Sequence, residues 1–472
     1  LGLNRALTFA KNITLDTNST LDVPDIGTGS SVNITGVISG VASLTKTGAG
    51  TLLLSGANTY TGDTILAAGT LALTGSASAS SGIIVNGGTL RIDAAAAVPA
   101  SGLVFNGGGL QFNLGAATTL SLTQLTINAP VTIDTTGLDV TLTSPLIGNG
   151  QLIKAGSGQT PGTLTLAANS NYTGKIALTG GALIISDVTA LGVAPTSFVA
   201  DSLAFNGGSL RTTADVTLAA NRGLTLDVNG SGTLAPVNGT TLTVNSVIAS
   251  GTGTGATGGK LALGSTNGGT IVLNGANIYA GDTDLLGGTV VLGNSAALGS
   301  GANINLPSGT TSATLQLGTS VSGTIAQSIN VVDGFANLTI AAGTKDVTIN
   351  GSVTGAGTPE LLAAIDRGGA LSPESRAVLL DTMTRTSTGK NRIRSGLPEG
   401  VVFAHKTGTL SGVTDDVGIV RLPDGRHLAI AVFVTGPEGH TFHAGLIAQI
   451  ARVLYDGYSQ PVLPSGFETA RR

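Results

Sequence analysis

Cysteine and tryptophan are missing from all 472 residues, methionine occurs once, and aromatic and charged residues make up 3% and 10% of the chain. Without cysteine there can be no disulfide, thiolate metal site or cysteine nucleophile. That absence fits export as easily as the cytosol. A formal net charge of −4 with no long basic run leaves no electrostatic footprint for nucleic acid. No apolar run approaches the roughly 18 to 20 residues of a membrane helix, and no charged segment leads into an apolar core near the start. Because the first residue is Leu1, the chain is expected to begin inside a longer precursor.

What is scarce is also unevenly placed. Residues 1–355 hold 10 Lys or Arg and 15 Asp but no Glu, His or Met, whereas residues 356–472 hold 12 Lys or Arg, 6 Asp, 5 Glu, all 4 His and the one Met. The change falls at GSVTGAGTPELL, Gly351 to Leu362. Two domains are therefore expected, 1–355 and 356–472.

The first of them repeats itself. The stretches TKTGAGTLLLSGANTYTGDTILAAGTLAL (Thr45 to Leu73), IKAGSGQTPGTLTLAANSNYTGKIALTGGALII (Ile153 to Ile185) and GGTIVLNGANIYAGDTDLLGGTVVL (Gly268 to Leu292) share a template around Tyr60, Tyr172 and Tyr279. A shorter unit (VNGGTLRI, FNGGGLQF, FNGGSLRT) places Asn86 and Asn106 20 residues apart, with Asn206 in a later copy. Strands of 4 to 6 residues with period-two patterning cannot bury an apolar face alone. Stacked parallel, successive rungs bury Leu, Ile and Val in one continuous core and let Asn side chains ladder at the turns. The fold class expected is mainly β, a long parallel β-helix of roughly 17 or 18 rungs of about 20 residues, with Gly supplying positive φ at the corners.

These copies resemble the autotransporter-associated β-strand repeat, closely over residues 36–75 and more loosely over 147–186 and 260–293. The resemblance implies a secreted or surface-displayed passenger of a Gram-negative bacterium, with an outer-membrane translocator in the full precursor. Enzymes built on a β-helix need clustered carboxylates to divide acid and base roles. Here Asp63 and Asp282 share the GDT position of two repeats, but the third copy has Lys175, so these read as turn residues. Glycine-rich calcium-binding nonapeptides do not occur, and no metal or cofactor is expected.

Downstream, TPELLAAIDRGG and LSPESRAVLLDTMTRTSTG have helical spacing, with Ser372 as N-cap and Pro373 at N1. Strands are expected over VVFAHKTGT, DVGIVRL and HLAIAVFVTG, the last two joined by a Pro423-Asp424-Gly425 turn, and HAGLIAQIARVLYDGY is expected to close the segment as an amphipathic helix over one sheet face. Residues 358–461 resemble the C-terminal part of a class A serine β-lactamase, which implies a small α/β segment of that fold. By this resemblance Lys406 and Thr407 would contact a β-lactam carboxylate, the Thr409 N–H would be an oxyanion-hole donor, and Gly408 would let substrate lie against the strand. A β-lactam at this Lys-Thr-Gly edge is the small-molecule partner implied.

The family's nucleophile in S-x-x-K, its S-D-N and its deacylating Glu precede Lys-Thr-Gly in chain order. None is recognisable here. Ser43 and Lys46 fit S-x-x-K only by letter, inside a repeat that also spells Lys-Thr-Gly at 46–48; Ser387 and Lys390 match a different stretch of the family. Ser186 to Val188 is a near miss for S-D-N, and no Glu precedes Glu360. No catalytic residue is therefore assigned. The junction near Thr358 reads as two frames joined, by gene fusion or by assembly. Two functions follow: a structural or adhesion-type passenger scaffold with an inactive β-lactamase remnant, or a periplasmic serine β-lactamase (β-lactam hydrolysis, antibiotic resistance) or β-lactam-binding module. Repeats specify a scaffold and not a ligand, so adhesion, autoaggregation and spacing stay open.

Overall fold

The computed structural model of the chain describes residues 6–25, 29–75, 81–156, 161–228, 230–251, 258–266, 268–301, 303–307, 310, 312–319, 321, 324–331, 337–341, 348–349, 353–355, 362, 365–367, 371–410, 413–435 and 444–459. It forms two compact units, Leu1–Ile329 with Asn337–Val353, and Asn330–Ala336 with Thr354–Arg472. Among the described residues no helix is long and apolar enough to cross a membrane.

The first unit is a continuous stack of short parallel strands. One sheet of 12 strands runs from Ala6–Phe9 to Ile248–Ser250, one of 11 from Thr118–Leu120 to Val353–Gly355, and sheets of seven and six cover the third side. The reason lies in alternation: TLLL, TLAL and TLRI bury their second and fourth residues, and a slip of one would turn each apolar set to solvent. Register accordingly aligns Leu52, Leu71, Leu90 and Leu110 in one inward column and Leu66, Val85, Phe105 and Ile127 in another. All eight are at most 1% exposed.

This β-solenoid makes about 13 turns between residues 6 and 341, fewer than the 17 or 18 expected. Rung length varies from 19 residues, as Ser55 to Thr74, to 29, as Ile248 to Asn277. The corners explain the glycines. Gly48, Gly69, Gly88 and Gly108 stack with φ between +71° and +84°, and a Cβ on Gly69 would lie 2.4 Å from the Gly48 carbonyl oxygen. Asparagines ladder as expected, Asn106 donating to Asn86 at 2.8 Å and Asn128 to Asn106 at 2.9 Å; Asn206 lies outside that ladder.

The template tyrosines are fully buried. Tyr279 shares a hydrogen bond of 2.6 Å with Thr283, Tyr60 does so with Thr64, and Tyr172 donates to the Gly150 and Lys175 carbonyls. Burial raises the pKa of all three phenols. Two residues before the tyrosine, Asn58 and Asn277 accept from the backbone N–H of Ile38 and Ile248 on the preceding rung, at 2.9 and 2.8 Å. Ser170 does the same for Leu146 at 3.0 Å. Each repeat thus satisfies a buried donor of its neighbour.

In the second unit, helix α1 (Pro373–Thr384) starts at Ser372, whose hydroxyl accepts from the Ser375 N–H at 3.3 Å. No residue of α1 is buried. After the short α2 (Ile393–Gly396), strands β1 (Phe403–Leu410), β2 (Val413–Arg421) and β3 (His427–Thr435) form an antiparallel sheet in that order. Between β2 and β3 the turn has Gly425 at φ +86° and the Asp424 carboxylate accepting the Arg426 N–H at 3.0 Å, which holds that carboxyl below its ordinary pKa. Helix α3 (Ala444–Tyr458) then packs Ile447, Ala451 and Tyr455 on Phe403, Val420, Ile430 and Val432, the expected one-face cover.

Candidate functional site

Strand β1 carries Lys406-Thr407-Gly408-Thr409 and pairs only with β2 among the described residues, so its outer side is a sheet edge. Along it His405 and Thr407 are buried and Lys406 is exposed, as alternation requires, whereas Thr409 is exposed although it shares the parity of the buried pair. Lys406 bends back so that its ammonium donates to the Thr407 carbonyl, and among the described residues no carboxylate pairs with it.

The connection from α1 to α2 runs along this strand and engages it residue by residue. Thr386 donates to the His405 carbonyl at 2.8 Å, Thr388 and Thr407 share a hydroxyl bond of 2.7 Å, and Arg392 donates to the Gly408 carbonyl at 2.7 Å and to the Thr409 hydroxyl. Gly389 allows the approach: at φ +66°, a Cβ there would lie 2.3 Å from the Thr407 methyl. Gly408 has a cross-strand reason to be glycine, since a Cβ would lie 2.4 Å from an Asp415 carboxylate oxygen. Thus the Thr407 hydroxyl, expected to face a ligand carboxylate, is already bonded within the chain.

Beneath the edge lies an arrangement that the sequence reading missed. His405 stacks on Phe403 with centroids 4.5 Å apart, and its Nδ1 is 2.8 Å from Oδ1 of buried Asp416. Oδ2 of Asp416 accepts the Ile393 N–H at 3.0 Å. The two residues sit on different strands, so no local spacing reveals them.

The serine and lysine letters do not converge here. Ser43 accepts the Asp63 N–H at 3.1 Å, and Lys46, 1% exposed, donates to the carbonyls of Thr47, Gly48 and Ala68 at 2.7, 2.7 and 3.0 Å. Both belong to a strand-and-corner rung, not to a helix start. Ser387 and Lys390 are exposed and unbonded to each other. Asp187 of the S-D-V triplet accepts the Thr189 N–H at 2.7 Å as cap of a 3-10 turn. Asp63 and Asp282 bond across rungs, to Ser81 at 2.6 Å and to the Asn303 N–H at 3.1 Å. Among the described residues no cluster of His, Asp and Glu could hold a metal ion.

Lys154 occupies the place of Lys46 in the second repeat. It is fully buried, its ammonium donating to the Ala155 carbonyl at 2.5 Å, and burial brings its pKa down to about 8.

Comparison with known proteins matches both units. The family described as Beta-lactamase enzyme family matches residues 319–458, and the Passenger-associated-transport-repeat matches residues 44–73, 68–92, 152–185 and 263–292. The extended-spectrum β-lactamase PER-1 of Pseudomonas aeruginosa is 42% identical over 107 residues, 21% of this chain and 34% of that protein. The adhesin BmaC autotransporter of Brucella suis is 32% identical over 355 residues, 72% of this chain and 9% of that protein. Among solved structures, a β-lactamase from Chitinophaga pinensis is 42% identical, covering 22% of this chain and 40% of its own, with a TM-score of 0.20. This chain spans about a third of the length of the β-lactamases it matches and less than a tenth of the adhesin. The β-lactamase match begins at 319, ahead of the expected 358, within residues whose strands Ser328–Val331 and Asn337–Ala341 continue the solenoid sheets. The chain therefore carries autotransporter passenger repeats in its N-terminal part and a class A β-lactamase-like segment over residues 319–458.

Proposed function

We propose that residues 1–355 are a passenger scaffold of structural or adhesion type, secreted or displayed at the outer membrane of a Gram-negative bacterium. On this reading residues 356–472 are a β-lactamase remnant without activity. The observation that carries the second half is the state of the Lys406–Thr409 edge. Thr407 and Thr409 are bonded to Thr388 and Arg392, and Ser387 and Lys390 of the adjoining connection are exposed. Acylation needs an activated serine, and deacylation needs a base for water. A strand edge with a lysine supplies neither.

The competing reading, a β-lactam-binding module or β-lactamase, rests on the 42% identity of the segment to an extended-spectrum β-lactamase. In that case Lys406 and the Thr409 N–H would still receive a β-lactam carboxylate and carbonyl. Intact mass of the full chain after incubation with excess penicillin separates the two. The scaffold reading expects an unchanged mass and unhydrolysed penicillin; an acyl adduct, located by peptide mapping, would overturn it and name the serine.

A further inference from the structure

The sequence spells Asn-Gly nine times, and both residues are described for six of these pairs, at Asn86, Asn106, Asn149, Asn206, Asn238 and Asn274. All carry the same latent chemistry, because glycine puts no side chain between its backbone nitrogen and the preceding carboxamide. In five of the six the fold holds one of the two reacting groups. Asn106 donates to Asn86 and accepts from Asn128 at 2.8 and 2.9 Å, so the side chains of Asn86 and Asn106 both belong to the asparagine ladder. Asn274 donates to Asn245 at 2.7 Å, and Gly275 after it is buried. At Asn149 and Asn206 the glycine nitrogen itself is engaged, Gly150 donating to the Ile127 carbonyl at 2.9 Å and Gly207 to the Ser231 carbonyl at 2.7 Å. Reaction at any of these five requires the solenoid to open locally first.

Asn238 and Gly239 stand apart. They form the tip of a turn between strands Ser231–Pro236 and Thr241–Val244, and both are exposed. Among the described residues neither the Asn238 side chain nor the Gly239 nitrogen has a hydrogen-bond partner. Gly239 has φ +79°, and a Cβ there would meet nothing within 4 Å. The shoulders of the turn, by contrast, are fastened. Val237 donates to the Thr212 carbonyl at 2.9 Å and Thr240 donates back to the Val237 carbonyl at 3.1 Å. From the next rung Gly269 and Thr270 donate to the carbonyls of Pro236 and Thr240, at 2.9 and 2.8 Å. The rung is thus held on both sides of a tip that nothing holds.

We propose that Asn238 is a self-deamidating site whose product charge the rung tolerates. The Gly239 nitrogen, giving up its proton to hydroxide, attacks Cγ of Asn238. A cyclic imide closes as the bond from Cγ to Nδ2 breaks, and Nδ2 leaves as ammonia with a proton taken from water. Water then opens either carbonyl of the imide, leaving aspartate or isoaspartate and one new negative charge. One water is consumed and one ammonia released, and nothing is oxidised or reduced. Because the shoulders carry the bonds between rungs, the charge enters without unfolding them. This goes beyond the scaffold reading and does not depend on it.

Peptide mapping by mass spectrometry of the full chain, incubated at neutral and at mildly alkaline pH, reads the conversion site by site. Asn238 is expected to convert first, and faster as pH rises. It should lead the other five by at least about fivefold, since each of those must first give up a hydrogen bond. In denaturant the six rates should converge, because the order is set by the fold and not by the dipeptide. Asn238→Asp, with the product's charge in place, should melt like the wild type. Conversion of any of the other five as fast as Asn238 in the folded chain, the same lead retained in denaturant, or a lower melting temperature for Asn238→Asp would each overturn the proposal.

Discussion

Nδ1 of His405 lies 2.8 Å from Oδ1 of Asp416, and both side chains are sealed from solvent. Because the second oxygen of Asp416 accepts the Ile393 N–H at 3.0 Å, one carboxylate joins β1, β2 and the start of α2. Asp416→Ala would leave its two buried hydrogen-bond partners unsatisfied and is expected to destabilise the second unit by about 2–4 kcal/mol. Asp416→Asn keeps an acceptor for one of them and should cost less. Amide exchange of residues 403–435 measures this, and protection in Asp416→Ala equal to that of the wild type would show that the pair contributes nothing.

The buried lysines and tyrosines are expected to place the solenoid's stability optimum on the alkaline side. Burial lowers the pKa of Lys154 to about 8, below its unfolded value of about 10.4, so the unfolded chain holds more protons between these two. Stability from this group is full above the unfolded value and is lost as pH falls through the folded one, with a slope of up to about 1.4 kcal/mol per pH unit. Lys46 shifts the same way, its burial outweighing the opposite pull of Asp22. Tyr60, Tyr172 and Tyr279 act in reverse. Their raised pKa values make stability fall as pH rises above the unfolded tyrosine value of about 10. Thermal melts are expected to rise from pH 7 to a maximum near about pH 9 to 10 and then decline, and Lys154→Met should flatten the rising limb. A maximum near neutrality in the wild type would contradict the assignment.

Stacked corner glycines predict a contrast between two alanine substitutions. Gly69 has φ +71°, and its added Cβ would meet the Gly48 and Gly50 carbonyl oxygens at 2.4 and 2.5 Å. Gly69→Ala should therefore destabilise by at least about 2 kcal/mol, strain and clash together. Gly115 has nothing within 4 Å of an added Cβ and no positive φ, so Gly115→Ala should be neutral or gain up to about 1 kcal/mol from the unfolded state. Equal melting temperatures for the two variants would mean that the corners yield.

Alternation makes the solenoid legible: the letters Thr163-Leu164-Thr165-Leu166 alone state which residues point inward. The same parity places Lys46 with Leu44, and Lys154 with Leu152, on the buried face. That signal is present in the sequence but runs against the usual exposure of lysine. The number of turns was not legible, because an insertion such as residues 186–198 lengthens a rung, and the register recovers only after an irregularity between Val199 and Leu203. In the tail, helical spacing over 373–384 correctly announces a helix, yet Val378 is 67% exposed. Periodicity states which residues share a face and not what covers it. The His405–Asp416 contact was illegible for a different reason, since it depends on the register of β1 against β2.

Helix α2 also packs against α3, and Gly396 is a position in that contact with no room for a side chain. A Cβ on Gly396 would lie 2.1 Å from the Ala448 carbonyl oxygen and 3.1 Å from the Arg452 nitrogen, both in the backbone of α3. Gly396→Ala must push the helices apart and so loosen Ile393 and Leu397 from Ile447 and Ala451 in the core of this unit. A loss of at least about 2 kcal/mol is expected, as for overpacking of a rigid contact. Gly445→Ala, also in α3 but with nothing within 4 Å of the new atom, should instead gain about 0.5–1 kcal/mol of helix propensity. Limited proteolysis across residues 393–458 reads both changes while the solenoid serves as internal reference. Cleavage of Gly396→Ala no faster than that of Gly445→Ala would show that α2 and α3 are not packed as described.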